Sequence, residues 1–378
     1  MEVNRRDFIR DLGFVSAVAL SGITVAQCAS TREKKAMNST AKRVDEPTYK
    51  QFVVGDIPRY DATNNAFSLM TYDPDYGKER GRQMKNMKEM ITRDKEKFVE
   101  MAFRGGAWAV AYSLGNACGI YSWGGQGLLS WEPLGRLPFA TSGMRKYDPS
   151  DREYTTKWIK KAAYFYGADL VGICEVNPSW IYSHVYNIMT KKTTPVHIPE
   201  KFKYAIVMAI ELDYDTIMKS PRPVAAAATG LGYSHMIEVV VKMAEFIRNL
   251  GFDAIPMGND TALSHPLAVD AGLGEVGRNG LLITEQFGPR VRLCKVFTDL
   301  PLIPDKPVDL GIQDYCESCA ICAEACPTKA IATGERRVVR GVRKWAIDPF
   351  KCFQGWAAGG VDCTHCISVC PKSKAVAV

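Results

Sequence analysis

The chain has 378 residues, enough for two or three domains with their own cores. Hydrophobic residues make up 47% and charged residues 24%, which excludes a disordered or fibrous protein and is typical of a globular one. The formal charge of +7 comes from scattered basic residues with no basic stripe interleaved with aromatics, so we predict no nucleic-acid partner.

Residues 1–30 have the features of a twin-arginine export signal. Arg5 and Arg6 are followed by Phe8 and by a mildly apolar stretch over 12–26, which is too short and too rich in small residues for a transmembrane helix. A basic N-terminus that happens to contain paired arginines is the alternative, but position, charge and the apolar stretch all favour the signal. We therefore predict export of the folded protein to the outer, periplasmic face of the cytoplasmic membrane.

The N-terminal region, 31–150, begins with a polar stretch over 31–50 that predicts a linker. Apolar spacing near 3.6 residues predicts one long amphipathic helix over 77–103. The stretch 105–143 is rich in Gly, Trp and Ser and predicts loops. Its aromatic residues could line a pocket or simply belong to the core: Trp108, Tyr112, Tyr121, Trp123 and Trp131.

From residue 151 to 300 the pattern alternates between helix and strand, which predicts an α/β or α+β domain. Helices are predicted at 151–166 and 225–250, the second ending at the capping residue Gly251. Strands are predicted at 168–174, 204–212, 254–257, 280–284 and 290–298. Three prolines within 300–309 indicate a linker to a last domain, 301–378.

Eight of the twelve cysteines crowd into the last domain, which indicates metal clusters rather than a secreted disulfide scaffold. The first motif is the bacterial ferredoxin run, whose fourth cysteine ligates the other cluster: Cys316-x2-Cys319-x2-Cys322-x3-Cys326-Pro327. The second motif has the same ending after a stretched first spacing: Cys352-x10-Cys363-x2-Cys366-x3-Cys370-Pro371.

These motifs predict two [4Fe–4S] clusters with crossed ligation. Three thiolates on a tight loop hold one face of a cubane, so the fourth ligand must come from a distance. Cluster one then takes Cys316, Cys319, Cys322 and Cys370. Cluster two takes Cys326, Cys352, Cys363 and Cys366. A pair of zinc knuckles is the alternative, but an all-cysteine zinc site usually draws its ligands from two separate pairs.

The chain resembles the respiratory reductive dehalogenases from about Tyr204 to Pro371. Besides the cysteine motifs, the resemblance is carried by Gly-Leu-Gly-Tyr-Ser at 230–234, Gly-Asn-Asp at 258–260, Ala-Gly-Leu-Gly-Glu-Val-Gly-Arg at 271–278 and Phe-Gly-Pro-Arg-Val-Arg at 287–292. It implies an α+β architecture in which a nitroreductase-like corrinoid-binding domain is followed by a bacterial ferredoxin-like 2[4Fe–4S] domain. It also implies a cobamide held base-off and reductive removal of halide from a small organohalide.

The resemblance implies a catalytic tyrosine, asparagine and arginine, which match Tyr233, Asn259 and Arg292. Replacing a carbon–halogen bond by carbon–hydrogen needs two electrons and one proton, and a guanidinium beside a phenol stabilises the phenolate. Tyr233 is then the proton donor, Arg292 lowers the pKa of its phenol, and Asn259 orients its hydroxyl by a hydrogen bond. Packing by Tyr233, turn chemistry at Asn259 and phosphate or carboxylate binding by Arg290 or Arg292 are the alternatives.

We expect four further residues to contact the cobamide. Thr229 lies one helical turn before Tyr233 and faces the same side. Ser264 and His265 lie in a loop that could reach the cofactor, and Trp356 lies between two cluster ligands. For His265 the alternative is an ordinary satisfied loop histidine.

Two other functions remain open. An epoxyqueuosine-reductase-like enzyme would share cobalamin and crossed clusters, but it acts on tRNA in the cytoplasm, against the export signal. A non-enzymatic electron carrier would bind no corrinoid. The family pairs with a small membrane anchor protein, and this sequence predicts no membrane-spanning helix of its own. The region before Tyr204 is shorter than in the family, and the organohalide, the electron donor and the oligomeric state, a homodimer included, stay open.

Overall fold

The computed structural model describes residues 41–112, 127–133, 146–187 and 190–373. The predicted export signal, Tyr121 and Trp123 lie outside these ranges. The helices are α1 (Ala66–Tyr72), α2 (Pro74–Arg93), α3 (Lys95–Val110), α4 (Arg152–Tyr166), α5 (Tyr214–Ile217), α6 (Pro223–Asn249), α7 (Ser264–Asp270), α8 (Ile312–Ser318), α9 (Ile321–Glu324), α10 (Pro349–Gly359) and α11 (His365–Ser368). Short 3-10 turns occupy Thr48–Phe52, Ala62–Asn64, Gly127–Leu129 and Pro178–Trp180.

The strands belong to one four-stranded sheet and several two-stranded ribbons. They are β1 (Lys42–Arg43), β2 (Leu170–Glu175), β3 (His184–Asn187), β4 (Lys192–Pro195), β5 (Tyr204–Glu211), β6 (Ala254–Met257), β7 (Glu275–Val276), β8 (Leu282–Ile283), β9 (Val291–Thr298), β10 (Val308–Asp309), β11 (Arg337–Val339) and β12 (Val342–Lys344). The strand order in the sheet is β2-β5-β9-β6, and every neighbouring pair is antiparallel. This mixture of helices with an antiparallel sheet confirms the α+β class.

Both faces of the sheet are buried, and alternation along each strand divides its residues between two cores. On β5, Ile206 and Met208 pack in the cluster that contains α4 and α6. Ala205 and Val207 pack in the opposite cluster with α7. The same alternation on β9 sends Arg292 toward α6 and Lys295 toward α7.

Helix α6 is the central core helix. Proline at its first position fits a helix start, Ala225–Ala228 extend it well, and Gly251 follows its end with φ +86°. By length and composition α6 could cross a membrane, but 72% of its apolar window is buried inside the protein. Its apolar character is therefore accounted for by core packing.

The prediction of one helix over 77–103 is wrong, because the chain forms α2 and α3 with a break at Asp94. Asp94 has extended backbone angles, and its carboxylate accepts hydrogen bonds from the backbone N–H groups of Glu96 and Lys97. It therefore ends α2 and caps the start of α3. The β3–β4 hairpin was not predicted, and the predicted strand at 280–284 is only the short β8.

The stretches predicted as linkers are partly ordered by pairing with each other. β1, from the polar stretch at 31–50, pairs with β10, from the proline-rich stretch at 300–309. Farther along, Val53 bridges to Val342 and the Val54 N–H donates to the Gly341 carbonyl at 2.8 Å. The N-terminal segment therefore contacts both the connection to the cysteine-rich region and the β11–β12 hairpin between the two cysteine motifs.

Candidate active site

Tyr233, Asn259 and Arg292 meet at one point, although they come from α6, the loop after β6, and β9. Asn259 Nδ2 donates to the Tyr233 hydroxyl oxygen at 2.6 Å, and Arg292 Nη1 donates to the same oxygen at 3.2 Å. The Arg292 guanidinium carbon also lies 4.4 Å from the centre of the Tyr233 ring. The phenolic oxygen thus accepts two hydrogen bonds, which leaves its own hydrogen available for donation.

The two glycines before Tyr233 allow this close approach. A Cβ at Gly230 would overlap the indole of Trp108. A Cβ at Gly232 would lie 2.5 Å from a methyl carbon of Leu212 and 2.9 Å from Cγ of Arg292. The Gly-Leu-Gly-Tyr motif is therefore a packing requirement of this site.

We expect Gly232→Ala to lower the stability of the protein by about 1–3 kcal/mol, because the methyl group must displace Leu212 or Arg292. The displaced guanidinium would also lower activity. Gly81→Ala is the matched control: it lies inside α2 with open space around it, so it should stabilise by roughly 0.5–1 kcal/mol. Thermal unfolding of both variants checks this, and equal melting temperatures for the two would contradict it.

Trp108 forms one wall of the site by stacking on Tyr233, with ring centroids 5.0 Å apart and an interplanar angle of 26°. The Ser234 hydroxyl fixes α3 in place, since it donates to the Ala107 carbonyl at 2.7 Å and accepts from the Ala111 N–H at 3.2 Å. The sequence left Trp108 open between pocket and core, and the structure places it in the core, where its ring contacts Tyr233.

Several buried polar atoms around Tyr233 have no protein partner within the described residues: Thr229 Oγ1, Arg292 Nε and Trp108 Nε1. Thr229 is 4% exposed and lies one turn before Tyr233 on α6. Since buried polar groups are normally hydrogen-bonded, these atoms leave hydrogen-bonding capacity unmet beside the tyrosine.

Lys295, which the sequence analysis missed, holds the loop that carries Asn259. It is fully buried, and its ammonium donates to the carbonyls of Gly258 (2.6 Å), Asp260 (3.0 Å) and Ala262 (2.7 Å). Burial lowers the pKa of Lys295 to about 8, although the buried Asp260 carboxylate favours the charged form. The available signal was a lysine flanked by apolar residues within a buried strand.

Two of the four predicted cofactor contacts, Ser264 and Trp356, have their described side-chain contacts away from Tyr233. The Ser264 hydroxyl lies 3.1 Å from the Lys295 ammonium and so helps to fix the loop. Trp356 packs between Phe67 and Phe353, where α10 meets α1, and its ring contacts do not include the tyrosine site.

His265 lines a cavity of about 360 Å³ between α7 and the β11–β12 hairpin. Burial lowers the pKa of His265 to about 4, with Arg292 and Lys295 adding to the effect, so the imidazole is neutral at pH 7. His265 is six residues after Asn259, just past the loop that Lys295 holds, so this loop connects the cavity to the tyrosine site. The walls are mostly apolar, with aromatic and basic side chains that include Trp180, Trp345, Arg336, Arg340, Arg343 and Lys344.

Arg290 is a structural residue. It is fully buried, and its guanidinium donates to the Glu211 carboxylate at 2.9 Å and to the Leu212 carbonyl. Of the two arginines that the sequence left open, only Arg292 lies at the tyrosine.

The cysteines fall into two groups. One small cavity is lined by Cys316, Cys319, Cys322 and Cys370, so the last cysteine of the second motif joins three from the first. In the other group, burial raises the pKa of Cys352 to about 11, and Cys363 and Cys326 raise it further. Burial likewise raises the pKa of Cys366, with Cys352 and Cys363 the next largest influences. The cavity thus brings Cys370 to three cysteines of the first motif, as the spacing predicts, and the assignment of the other four cysteines to a second cluster stays a prediction.

The sequence matches a family model described as a 4Fe-4S dicluster domain over residues 315–374. The tetrachloroethene reductive dehalogenase of Dehalobacter restrictus is 32% identical, over 99% of this chain and 88% of that protein. The enzyme of the same description from Sulfurospirillum multivorans is also 32% identical, over 99% of this chain and 85% of its own.

Solved structures agree with this similarity. The catabolic reductive dehalogenase NpRdhA in complex with 3-bromo-4-hydroxybenzoic acid superposes with a TM-score of 0.65 and 26% identity over 90% of this chain. The present chain spans only 45% of that protein, or just under half of its length. The epoxyqueuosine reductase of Cyclobacterium marinum is more distant, with 28% identity over 59% of this chain and 80% of its own length.

Proposed function

The chain belongs to the reductive dehalogenase family, and from that membership we propose that it removes halide from a small organohalide by reduction. The observation that carries the proposal is the buried Tyr233 hydroxyl, whose oxygen accepts hydrogen bonds from both Asn259 and Arg292. Such a phenol can give its proton to the carbon that loses halide, because both neighbours stabilise the phenolate that remains. Asn259 fixes the direction of the hydroxyl, and Arg292 supplies the positive charge.

The described residues fit a cobamide beside Tyr233. Thr229 Oγ1 and Arg292 Nε are buried without protein partners, and the adjoining cavity combines apolar walls with basic side chains suited to a phosphate. Neutral His265 can contact the same ligand without adding charge. When bound, the cobamide supplies the electrons that break the carbon–halogen bond. Trp108 shields the face of the tyrosine ring and helps to exclude water.

We propose that the eight cysteines hold two [4Fe–4S] clusters. The cavity that Cys370 shares with Cys316, Cys319 and Cys322 supports crossed ligation. The clusters would pass single electrons from a donor to the site at Tyr233. Cys322 is buried and the other seven cysteines are half-buried, which would limit water access to the clusters.

We further propose that the protein works on the outer face of the cytoplasmic membrane in organohalide respiration. The paired arginines at Arg5 and Arg6 support twin-arginine export, and a small membrane anchor protein, as in the family, would make the enzyme membrane-associated. A homodimer is a further assembly to test by light scattering of the purified holoprotein.

One experiment tests the function. The protein is loaded anaerobically with cobalamin and iron–sulfur, supplied with reduced viologen and given a panel of chlorinated and brominated alkenes and phenols. Halide release that depends on the corrinoid supports the proposal. Eight irons without bound corrinoid would leave an electron carrier, and reduction of epoxyqueuosine tRNA without halide release would favour the other enzyme.

We expect Arg292→Met to lower the turnover number by about 10²-fold, because the phenolate loses its charged hydrogen-bond donor. Arg292→Lys should recover part of the rate, since a lysine restores the charge but not the planar stacking over the ring. Steady-state halide release, normalised to corrinoid content, measures both. Wild-type turnover in the methionine variant would remove Arg292 from the mechanism.

A further inference from the structure

Arg278 connects the catalytic domain to the backbone around one group of cysteines. It lies between β7 and β8, is 3% exposed, and all its described hydrogen bonds go to backbone carbonyls. Nε and Nη2 both donate to the Cys316 carbonyl, at 3.0 and 2.8 Å. Nε also donates to the Cys319 carbonyl at 3.1 Å, and Nη2 donates to the Glu317 carbonyl at 3.2 Å. Nη1 reaches a second loop at Ala332 (3.0 Å), Thr333 (3.2 Å) and Gly334 (3.1 Å). One guanidinium therefore ties two loops of the cysteine-rich region together.

The charge of Arg278 is not neutralised by a carboxylate among the residues that the structure describes. Its guanidinium carbon lies 4.6 Å from the centre of the Trp345 ring, and the Arg336 guanidinium carbon lies 3.9 Å from the same centre. Arg336 is ion-paired with Glu317, so its charge is compensated. Arg278 keeps a net positive charge in a buried setting, where charges act strongly on their neighbours.

The same arginine lines the cavity bounded by Cys316, Cys319, Cys322 and Cys370. Reduction of a [4Fe–4S] cluster adds one negative charge to it. A nearby buried cation favours that reduced state, and net charge is one of the properties that set cluster potentials. Hydrogen bonds to the carbonyls of Cys316 and Cys319 also hold two of the ligands in place.

We propose that Arg278 is a positioning residue that raises the reduction potential of the cluster held by Cys316, Cys319, Cys322 and Cys370. The inference rests on the cluster site of the proposed function, but not on dehalogenation itself. It gives the Gly277-Arg278 motif a role separate from the proton chemistry at Tyr233. The backbone of Arg278 belongs to the catalytic domain, while its side chain affects the reduction potential of a cluster in the cysteine-rich region.

The test is an anaerobic redox titration of the loaded holoprotein, followed by electron paramagnetic resonance. In Arg278→Gln we expect the equilibrium constant for reduction of one cluster to fall about tenfold, a shift of about 59 mV for one electron. The other cluster should shift much less. Arg278→Lys keeps the charge and loses the forked hydrogen bonds. The equilibrium constant for reduction of the same cluster should therefore stay within about twofold of the wild-type value, while the melting temperature of the protein falls.

Arg337→Gln is the matched control, because it removes an exposed cation of the neighbouring strand β11, whose charge is screened by water. Both cluster potentials should stay unchanged in it. Unchanged potentials in a fully loaded Arg278→Gln protein would overturn the inference and leave a purely structural arginine. If the glutamine variant fails to load, the lysine variant decides: loss of loading or a large shift there overturns the electrostatic role. A shift in Arg278→Gln without halide release from any substrate would keep the inference and reject the proposed function.

Discussion

Replacing Tyr233 by phenylalanine is expected to lower halide release by about 10²–10⁴-fold, the usual contribution of a positioned proton donor. Phenylalanine keeps the ring that stacks on Trp108 and lies beneath the Arg292 guanidinium, so packing should survive. Only the hydroxyl is lost, together with the hydrogen bonds that its oxygen accepts from Asn259 and Arg292. Turnover with reduced viologen, at matched corrinoid and iron contents, measures the effect.

Tyr166→Phe is a suitable control for this loss. Tyr166 packs its ring against Phe165 and Phe246 in the same core, but it lies on α4 and makes no hydrogen bond to Tyr233, Asn259 or Arg292 within the described residues. The control should keep full turnover and cofactor content. If Tyr233→Phe also kept full dehalogenation, another group would have to supply the proton.

The second large effect is expected at Cys370. Its substitution by serine should remove roughly half of the bound iron and abolish steady-state turnover, because one cluster loses a ligand and the electron path is broken. Although Cys370 belongs to the second motif, it lines the cavity with Cys316, Cys319 and Cys322. Cys370→Ser should therefore leave the same residual resonance spectrum as Cys316→Ser.

Cys326→Ser and Cys366→Ser should instead share the other residual spectrum. Cys174→Ala is the control, since this cysteine is buried in the sheet against α7 and should keep the full iron content. Matching spectra for Cys370→Ser and Cys366→Ser would mean that each motif ligates its own cluster and that the crossed pattern is wrong.

The cavity that Cys370 shares with three cysteines of the first motif, and the meeting of Tyr233, Asn259 and Arg292, could be predicted because short motifs fix their chemistry. Ligand spacing reports which cysteines share a tight loop, and the Gly-Leu-Gly-Tyr segment marks a place where other side chains come close. Strands β5 and β6 were predictable too, since buried strands are nearly continuous apolar runs, and β9 was predictable despite Arg292 and Lys295. These signals are local and do not depend on the rest of the fold.

Other parts of the site depend on contacts between distant segments and could not be predicted. Trp108 is 125 positions before Tyr233 in the sequence, and only the packing of α3 on α6 brings the rings together. Lys295 lies among apolar neighbours in β9, and the sequence alone gives no partner for its ammonium. Only the structure shows that the loop at 258–262 surrounds the ammonium with carbonyl groups. At Asp94 the helical periodicity continued through a capping residue, so periodicity alone extended the helix too far.

The pairing of β1 with β10, together with the contact between Val54 and Gly341, has an evolutionary consequence. A ferredoxin-like module that is connected only by a flexible linker could be exchanged for another module by gene fusion. Here the N-terminal segment is hydrogen-bonded to the chain just before that module and to the β11–β12 hairpin within it, and Arg278 reaches into it from the catalytic domain. Electron donor and catalyst should consequently diverge together, as one inherited unit.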